Sequence, residues 1–262
     1  MGVILAYIKL GFKNNTIYRV NYLLGLIGAA IQLFITIAIW RALYNGQDVI
    51  DGISFSMITT NFVFTIGLQN AFTFNDFEVQ SKVNDGSIAL DFIKPVDYRM
   101  NLLATDVGNI IFNIMVKFVP IFILAFFVVG IEKPASLISF ICFVVSVIFG
   151  FSILWSLTYI VRMTTFWILN VWSVSVLKGV IISVFSGITL PIWFLPEGIT
   201  NLLKFTPLES IYFMPLQIYW GQVTSYDILT TYLIQIMWAV VLFSIGNIMW
   251  KFGRKRLIVQ GG

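Results

Sequence analysis

The sequence predicts an all-α protein that crosses a membrane several times, and three observations carry that prediction. Of the 262 residues, 59% are hydrophobic and 11% are charged, whereas a soluble domain carries roughly 25% charged residues. Apolar runs recur that are long enough to cross a hydrocarbon core, which takes about 20 residues rising about 1.5 Å each. The basic residues gather in the segments between alternate runs, as the positive-inside rule asks of a multi-pass chain. Mean hydropathy is +0.93.

The composition also excludes chemistry. Histidine is absent and the single cysteine, Cys142, sits inside an apolar run. The commonest general base and the commonest transition-metal ligand are therefore missing, which argues against a metalloenzyme, a triad hydrolase or a disulfide framework. The net charge of +4 comes from residues scattered over segment ends and not from one stripe, so nucleic acid is not an expected partner. The start MGVILAYIKLGFKNN shows no small-residue cleavage pattern and leads into a longer apolar segment, unlike a cleavable signal.

Residues 1–18 predict a helix along the membrane surface, with Ile4, Leu5, Ile8 and Phe12 on one side and Lys9, Lys13 and Thr16 on another. The first two spans are expected at 20–43 and 55–74, joined by the polar turn 45–54. Gly25 and Gly28 suit close helix approach or plain packing. Asn61, Gln69 and Asn70 inside the second span suit a polar path and interhelical hydrogen bonds equally.

Residues 75–101 form the longest hydrophilic stretch, in which Phe77, Val83, Ile88, Leu90, Phe92 and Ile93 recur among the charges. Gly86 and Pro95 divide it into a short helix, an amphipathic piece and a turn. That pattern fits docking on a soluble partner, or folding against the chain's own bundle. The third span, 102–129, carries Asp106, Asn109, Asn113 and Lys117 on one helix face. Pro120 is expected to kink this helix and free the Val116 carbonyl. A cation at membrane depth such as Lys117 marks a functional site unless it snorkels to an interface.

The remaining spans are expected at 135–161, 165–186 and 228–250. The fifth shows a small-residue face of Ser175, Gly179, Ser183 and Ser186, with Lys178 beside it. Before the last span lies Phe185 to Gly221, too apolar for a loop and too interrupted for a span. Pro191, Pro196, Pro207 and Pro215 each remove a backbone donor. Such backbone persists at membrane depth only when packed in protein or lining a wet cavity, so 187–221 predicts short re-entrant or outer helices, with an amphipathic outer loop as the alternative. The cluster Lys251, Arg254, Lys255 and Arg256 after the last span suits anionic headgroups.

With six spans and an internal N-terminus, eleven of the 16 basic residues fall inside and three (Arg41, Lys133, Lys204) outside. Both termini and the 75–101 loop are thus expected in the cytoplasm.

Particular residues now carry a resemblance: Tyr18 to Tyr22 before the first span, the run GSIALDFIKP from Gly86 to Pro95, and SGITLP from Ser186 to Pro191 with Phe194 and Pro196. Pro207 and Pro215 before Gly221, and the closing Val259 to Gly262, complete it. In this order the chain resembles the membrane subunit of a type-2 ABC exporter, in a bacterial branch of these permeases. The resemblance implies a multi-pass permease of the bacterial plasma membrane, paired with a second, like or related, permease subunit among membrane lipids. It implies a coupling helix within 75–95 seated on a separate ATPase subunit, with Glu78, Lys82, Asp85, Asp91 and Lys94 as polar contacts. It places Gln32, Asn61, Gln69, Asn170 and Lys178 along the translocation path, and Pro191, Phe194 and Pro196 at an outer gate. Lys117 joins the path set although the family places that span less centrally. No cofactor is expected on this chain; ATP and Mg belong to the partner, since no G-x-x-x-x-G-K-[ST] run occurs here. An ion-gradient-driven transporter or channel is the alternative, motivated by the polar stripe of the third span. A lipid-directed enzyme finds little support without histidine or a cysteine pair.

Overall fold

The computed structural model describes residues 2–16, 19–94 and 96–260. Tyr18, Pro95, Gly261 and Gly262, which belong to the motifs above, lie outside the described residues. In chain order the described elements are α1 (Gly2–Thr16), α2 (Arg19–Tyr44), β1 (Val49–Ile50), β2 (Ile53–Ser54), α3 (Phe55–Ala71), α4 (Glu78–Asn84), α5 (Ile88–Ile93) and α6 (Tyr98–Asn113). A π-helical turn (Ile114–Phe118), α7 (Val119–Val128), α8 (Leu137–Thr164) and α9 (Trp172–Phe185) follow. A 3-10 turn (Ile192–Phe194), α10 (Glu197–Leu203), α11 (Glu209–Tyr219) and α12 (Ser225–Gln260) complete it. The chain forms two compact units, one of Met1–Thr73 and Asp91–Glu132, the other of Phe74–Leu90 and Lys133–Gly262.

In the first unit α3 is the core. It is buried from Ile58 through Leu68, so Asn61 sits among other helices, while Gln69 and Asn70 beyond it are half-buried. Ser54 starts it, its hydroxyl accepting from the Met57 amide at 3.1 Å, the usual way an orphan first-turn donor is satisfied. The polar turn before it is a small antiparallel hairpin. Asp51 and Gly52 both take positive φ there, at 49° and 79°, the conformation a tight two-residue hairpin turn demands.

The expected surface helix α1 is packed along α6. A Cβ at Gly11 would strike the Thr105 carbonyl, and one at Gly108 would strike the Ile8 carbonyl. The two backbones therefore meet at reciprocal glycines, the small-residue device of close helix crossing. Gly28 on α2 instead has nothing within 4 Å of a Cβ position, so the close approach lies elsewhere. The expected third span is continuous from α6 to α7, and Pro120 is accommodated by the π turn ahead of it. There the Val119 amide bonds the Ile114 carbonyl, five residues back. Widening one turn relieves the ring's clash with the preceding turn more gently than a sharp kink.

In the second unit α11 and α12 pack on α8. At Gly150 of α8 a Cβ would collide with the Ile211 carbonyl. That carbonyl lies four residues before Pro215, which has no N–H to bond it, and α11 nonetheless stays helical through Pro215. The expectation that each proline interrupts helix fails here because glycine on the neighbouring helix makes room for the freed group. Gln235 of α12 ties the three helices: its Nε2 donates to the Ser210 carbonyl at 2.8 Å and its Oε1 accepts from Ser146 Oγ at 3.0 Å. The punctuated segment does form short helices, with Ile192, Leu203 and Phe213 in its own small core.

The fifth expected span begins later than residue 165. Residues 165–171 turn, and α9 starts at Trp172 because its entry is capped from outside the helix. Asn170 Oδ1 accepts from the Trp172 amide at 2.9 Å, and Gln80 Oε1 accepts from the Val171 amide at 2.9 Å. Among the described residues four helical stretches are long and apolar enough to cross a membrane: Tyr22–Tyr44, Tyr98–Val128, Leu137–Thr164 and Asp227–Arg256. The helices α3 and α9 are shorter, at 17 and 14 residues. The chain is a mostly helical, multi-pass membrane protein.

Candidate functional site

The polar centre of the second unit is the segment from Asn75 through α4, seated against the end of α8 and the start of α9. Arg162, in the last turn of α8, is fully buried. Its Nε donates to the Asn75 carbonyl at 2.9 Å and its Nη2 lies 3.7 Å from Glu78 Oε2. Glu78 also accepts from Lys82 Nζ at 3.3 Å, one helical turn on. Asp76 accepts from Lys178 Nζ at 2.5 Å and from the Ser175 hydroxyl, both on α9. Lys178 reaches Thr158 Oγ1 of α8 as well, at 3.1 Å. Two acids near the start of α4 thus meet cations from two different helices in a largely buried setting. Charge-assisted bonds of this kind are strong and directional.

The seated side of α4 is Val79, buried completely, with Glu78 and Lys82 partly covered. Phe77, Ser81, Asn84 and Asp85 are exposed, and their spacing places them on one face. A cavity of about 270 Å³, lined by Val83, Asn84, residues 165–169 and Arg256, opens beside the end of α4. Asp85 is held below the usual carboxylate range, chiefly by its hydrogen bond with Ser87, whose amide donates to Oδ1 at 2.8 Å. In the first unit, Lys94 Nζ donates to Asp91 Oδ1 at 2.6 Å, and that bond raises the Lys94 pKa. Of the five expected coupling residues, the structure brings Glu78 and Lys82 together and pairs Asp91 with Lys94.

The expected path residues scatter. Gln32 is exposed on α2, Asn61 is buried in the core of α3, and Gln69 is half-buried near the end of that helix. Asn170 serves as the cap of α9, and Lys178 is an ion-pair partner of Asp76. Lys117 lies over the Tyr22 ring, 5.2 Å from its centroid. The stripe that pointed to a path is largely used in packing. Asn109 accepts from Asn15 of α1 at 2.9 Å, and Asn113 donates to the Ala71 carbonyl at 3.2 Å. Of the outer-gate set, Pro191 is buried, Phe194 half-buried and Pro196 exposed. The Pro191 carbonyl accepts from the Phe194 amide at 3.0 Å, closing the 3-10 turn, and the Pro196 carbonyl starts α10.

Sequence reasoning missed Asp76, Thr158 and Arg162 as members of this centre. Arg162 is a single cation at the end of an apolar run and Asp76 one of several acids in the hydrophilic stretch, and no spacing rule sets either apart. The available signal was the acid pair Asp76 and Glu78, set against one cation at the end of an apolar run, Arg162, and one within the next, Lys178.

None of the curated proteins compared with the chain matches it. Residues 30–261 match the family described as ABC-2 family transporter protein. That match spans most of the sequence and agrees with the multi-pass helical architecture, and the chain therefore belongs to the ABC-2 family of transporter proteins.

Proposed function

We propose that this permease is driven by ATP hydrolysis on a separate ATPase subunit that docks on residues 75–95, and that it exports cargo across the bacterial plasma membrane. Family membership supplies the transport role. The observation that carries the rest is α4: a short polar helix between apolar segments, seated by one side and presenting Phe77, Ser81, Asn84 and Asp85 on the other. A solvated loop has no reason to keep such a helix, and these 262 residues contain no run of glycines and lysine to cradle nucleotide phosphates. ATP and Mg are accordingly placed on the partner.

In this reading six segments cross, α3 and α9 among them, and both termini face the cytoplasm with the basic residues near the end of α12. A second permease subunit, the same or homologous, completes the path. Asp85 and Lys94 face the ATPase, with the buried Asp91 holding Lys94, while Glu78 and Lys82 hold the docking helix in place. Gln32, Asn61, Gln69 and Lys117 border the path, with Asn170 at its inner edge and Pro191, Phe194 and Pro196 at the outer gate, while Lys178 is engaged by Asp76 away from the cargo. Closure of the ATPase dimer displaces α4 and changes which side of the path is open.

The test is purification of the tagged chain from its native membrane in mild detergent. An ATPase is expected to accompany it and to hydrolyse Mg-ATP, and Asp85→Lys is expected to weaken that association. Transport by the chain alone in vesicles, driven by an ion gradient and indifferent to nucleotide, would overturn the proposal.

A further inference from the structure

We infer that the ion pairs of Asp76 with Lys178 and of Glu78 with Arg162 form a clamp that passes displacement of α4 to α8 and α9. Lys178 and Arg162 are then positioning residues, and neither touches cargo. The inference rests on the ATPase-docked reading above.

Three features of the second unit carry it. First, the attachment uses both neighbours at once: Arg162 and Thr158 belong to α8, while Ser175 and Lys178 belong to α9. Second, it is shielded. Arg162 is fully buried, and the Lys178 and Asp76 side chains are 15% and 10% exposed. Opposite charges so covered attract more strongly than at a wet surface, and separating them leaves each without compensation. Third, it is supplemented by a neutral strut, the Val171 amide bonded to Gln80 at 2.9 Å, which ties the turn before α9 to the middle of α4. By contrast, the covalent route back beyond the clamped Asn75 runs through residues 72–74, where no helix continues. A push on α4 therefore meets stiff charged contacts toward α8 and α9 and a non-helical connection along the chain. Bonds that join two elements at their ends, while leaving the outer face of one of them free, have the form of a mechanical link.

The experiment uses the permease purified with its ATPase in lipid nanodiscs. Hydrogen exchange over residues 172–180 is measured without nucleotide and with Mg-ATP and vanadate. The wild-type complex is expected to change its exchange there on trapping nucleotide. Lys178→Met is expected to keep the ATPase bound and hydrolysing while losing that change, and Lys178→Arg to restore it. Lys178→Gln, which removes the charge but keeps a polar side chain, provides a milder variant should Lys178→Met not fold, and is expected to reduce the change. The exchanged pair Asp76→Lys with Lys178→Asp is expected to recover it, which a merely structural lesion would not do. A nucleotide-dependent change that persists unaltered in Lys178→Met or Lys178→Gln overturns the clamp while leaving the ATPase reading intact. Failure of any ATPase to accompany the wild-type chain overturns that reading, and the clamp with it.

Discussion

Asp97 illustrates how much one carboxylate decides at the entrance to a helix. Its Oδ1 accepts from the Arg99 amide at 2.9 Å, and the Arg99 guanidinium folds back onto the same carboxylate. The hydrogen bond from Arg99 holds the Asp97 pKa below the usual carboxylate range. Asp97→Ala is expected to cost about 1 kcal/mol, the ordinary worth of such a cap, read as a lower unfolding midpoint in detergent. Because the folded pKa is lowered, this stabilisation is fully present above the unfolded value of about 3.9 and disappears as pH falls through the folded value. Amides in the first turn of α6 should accordingly exchange faster only at that acidic end. Faster exchange on raising the pH from 5 to 7, after correction for intrinsic rates, would contradict the assignment. At this scale the sequence marks charged residues but not their partners. Lys178 stood out as a cation at depth, yet Asp76 lies 102 positions away, and nothing local connects them. Lys117 similarly found an aromatic face, and cation–π contacts leave no spacing rule to read.

Elements were legible where one physical demand dominated. Apolar length alone located α2, α8 and the continuous stretch from α6 to α7, because a bilayer imposes about 20 residues whatever their identity. The start of α9 was not legible, since it depends on Gln80 from a distant element. Nor was the passage of α11 through Pro215, which depends on a glycine of α8. Glycines separate two kinds of site. Gly108→Val and Gly150→Val each drive a side chain into a neighbouring backbone carbonyl, and overpacking of this kind typically costs 1–3 kcal/mol, with about the upper end expected at these backbone contacts. Gly28→Ala meets open space and is expected to be neutral or to gain up to about 1 kcal/mol from helix propensity. Thermal unfolding of the three variants side by side should separate them. Equal midpoints would remove the close crossings of α1 with α6 and of α8 with α11.

For the whole molecule, the expected alternation of sides rests on the distribution of basic residues. Within the second unit, residues 75–80 bond to residues 162–178, while the Ala135 amide donates to the Tyr219 carbonyl at 3.0 Å. Each set belongs on one side of a bilayer, as alternate crossings require. With Cys142→Ser as background, Asn84→Cys is expected to react with a membrane-impermeant thiol reagent only after the cells are opened. Gln47→Cys, in the turn before β1, is expected to react in intact cells. Labelling of Asn84→Cys from the medium would invert the orientation drawn from the basic residues.

Gly246 and Gly253 recur seven residues apart on α12 and lie under the rings of Tyr159 and Phe166, likewise seven apart. Any side chain swung into either notch by rotation of α12 would hit an aromatic ring, so the helix and α8 mesh like paired gears and turn together. On the proposed ATP-driven reading, the cations Lys251, Arg254, Lys255 and Arg256 at its end would act as a keel among the headgroups, and bilayers richer in anionic lipid are expected to slow transport.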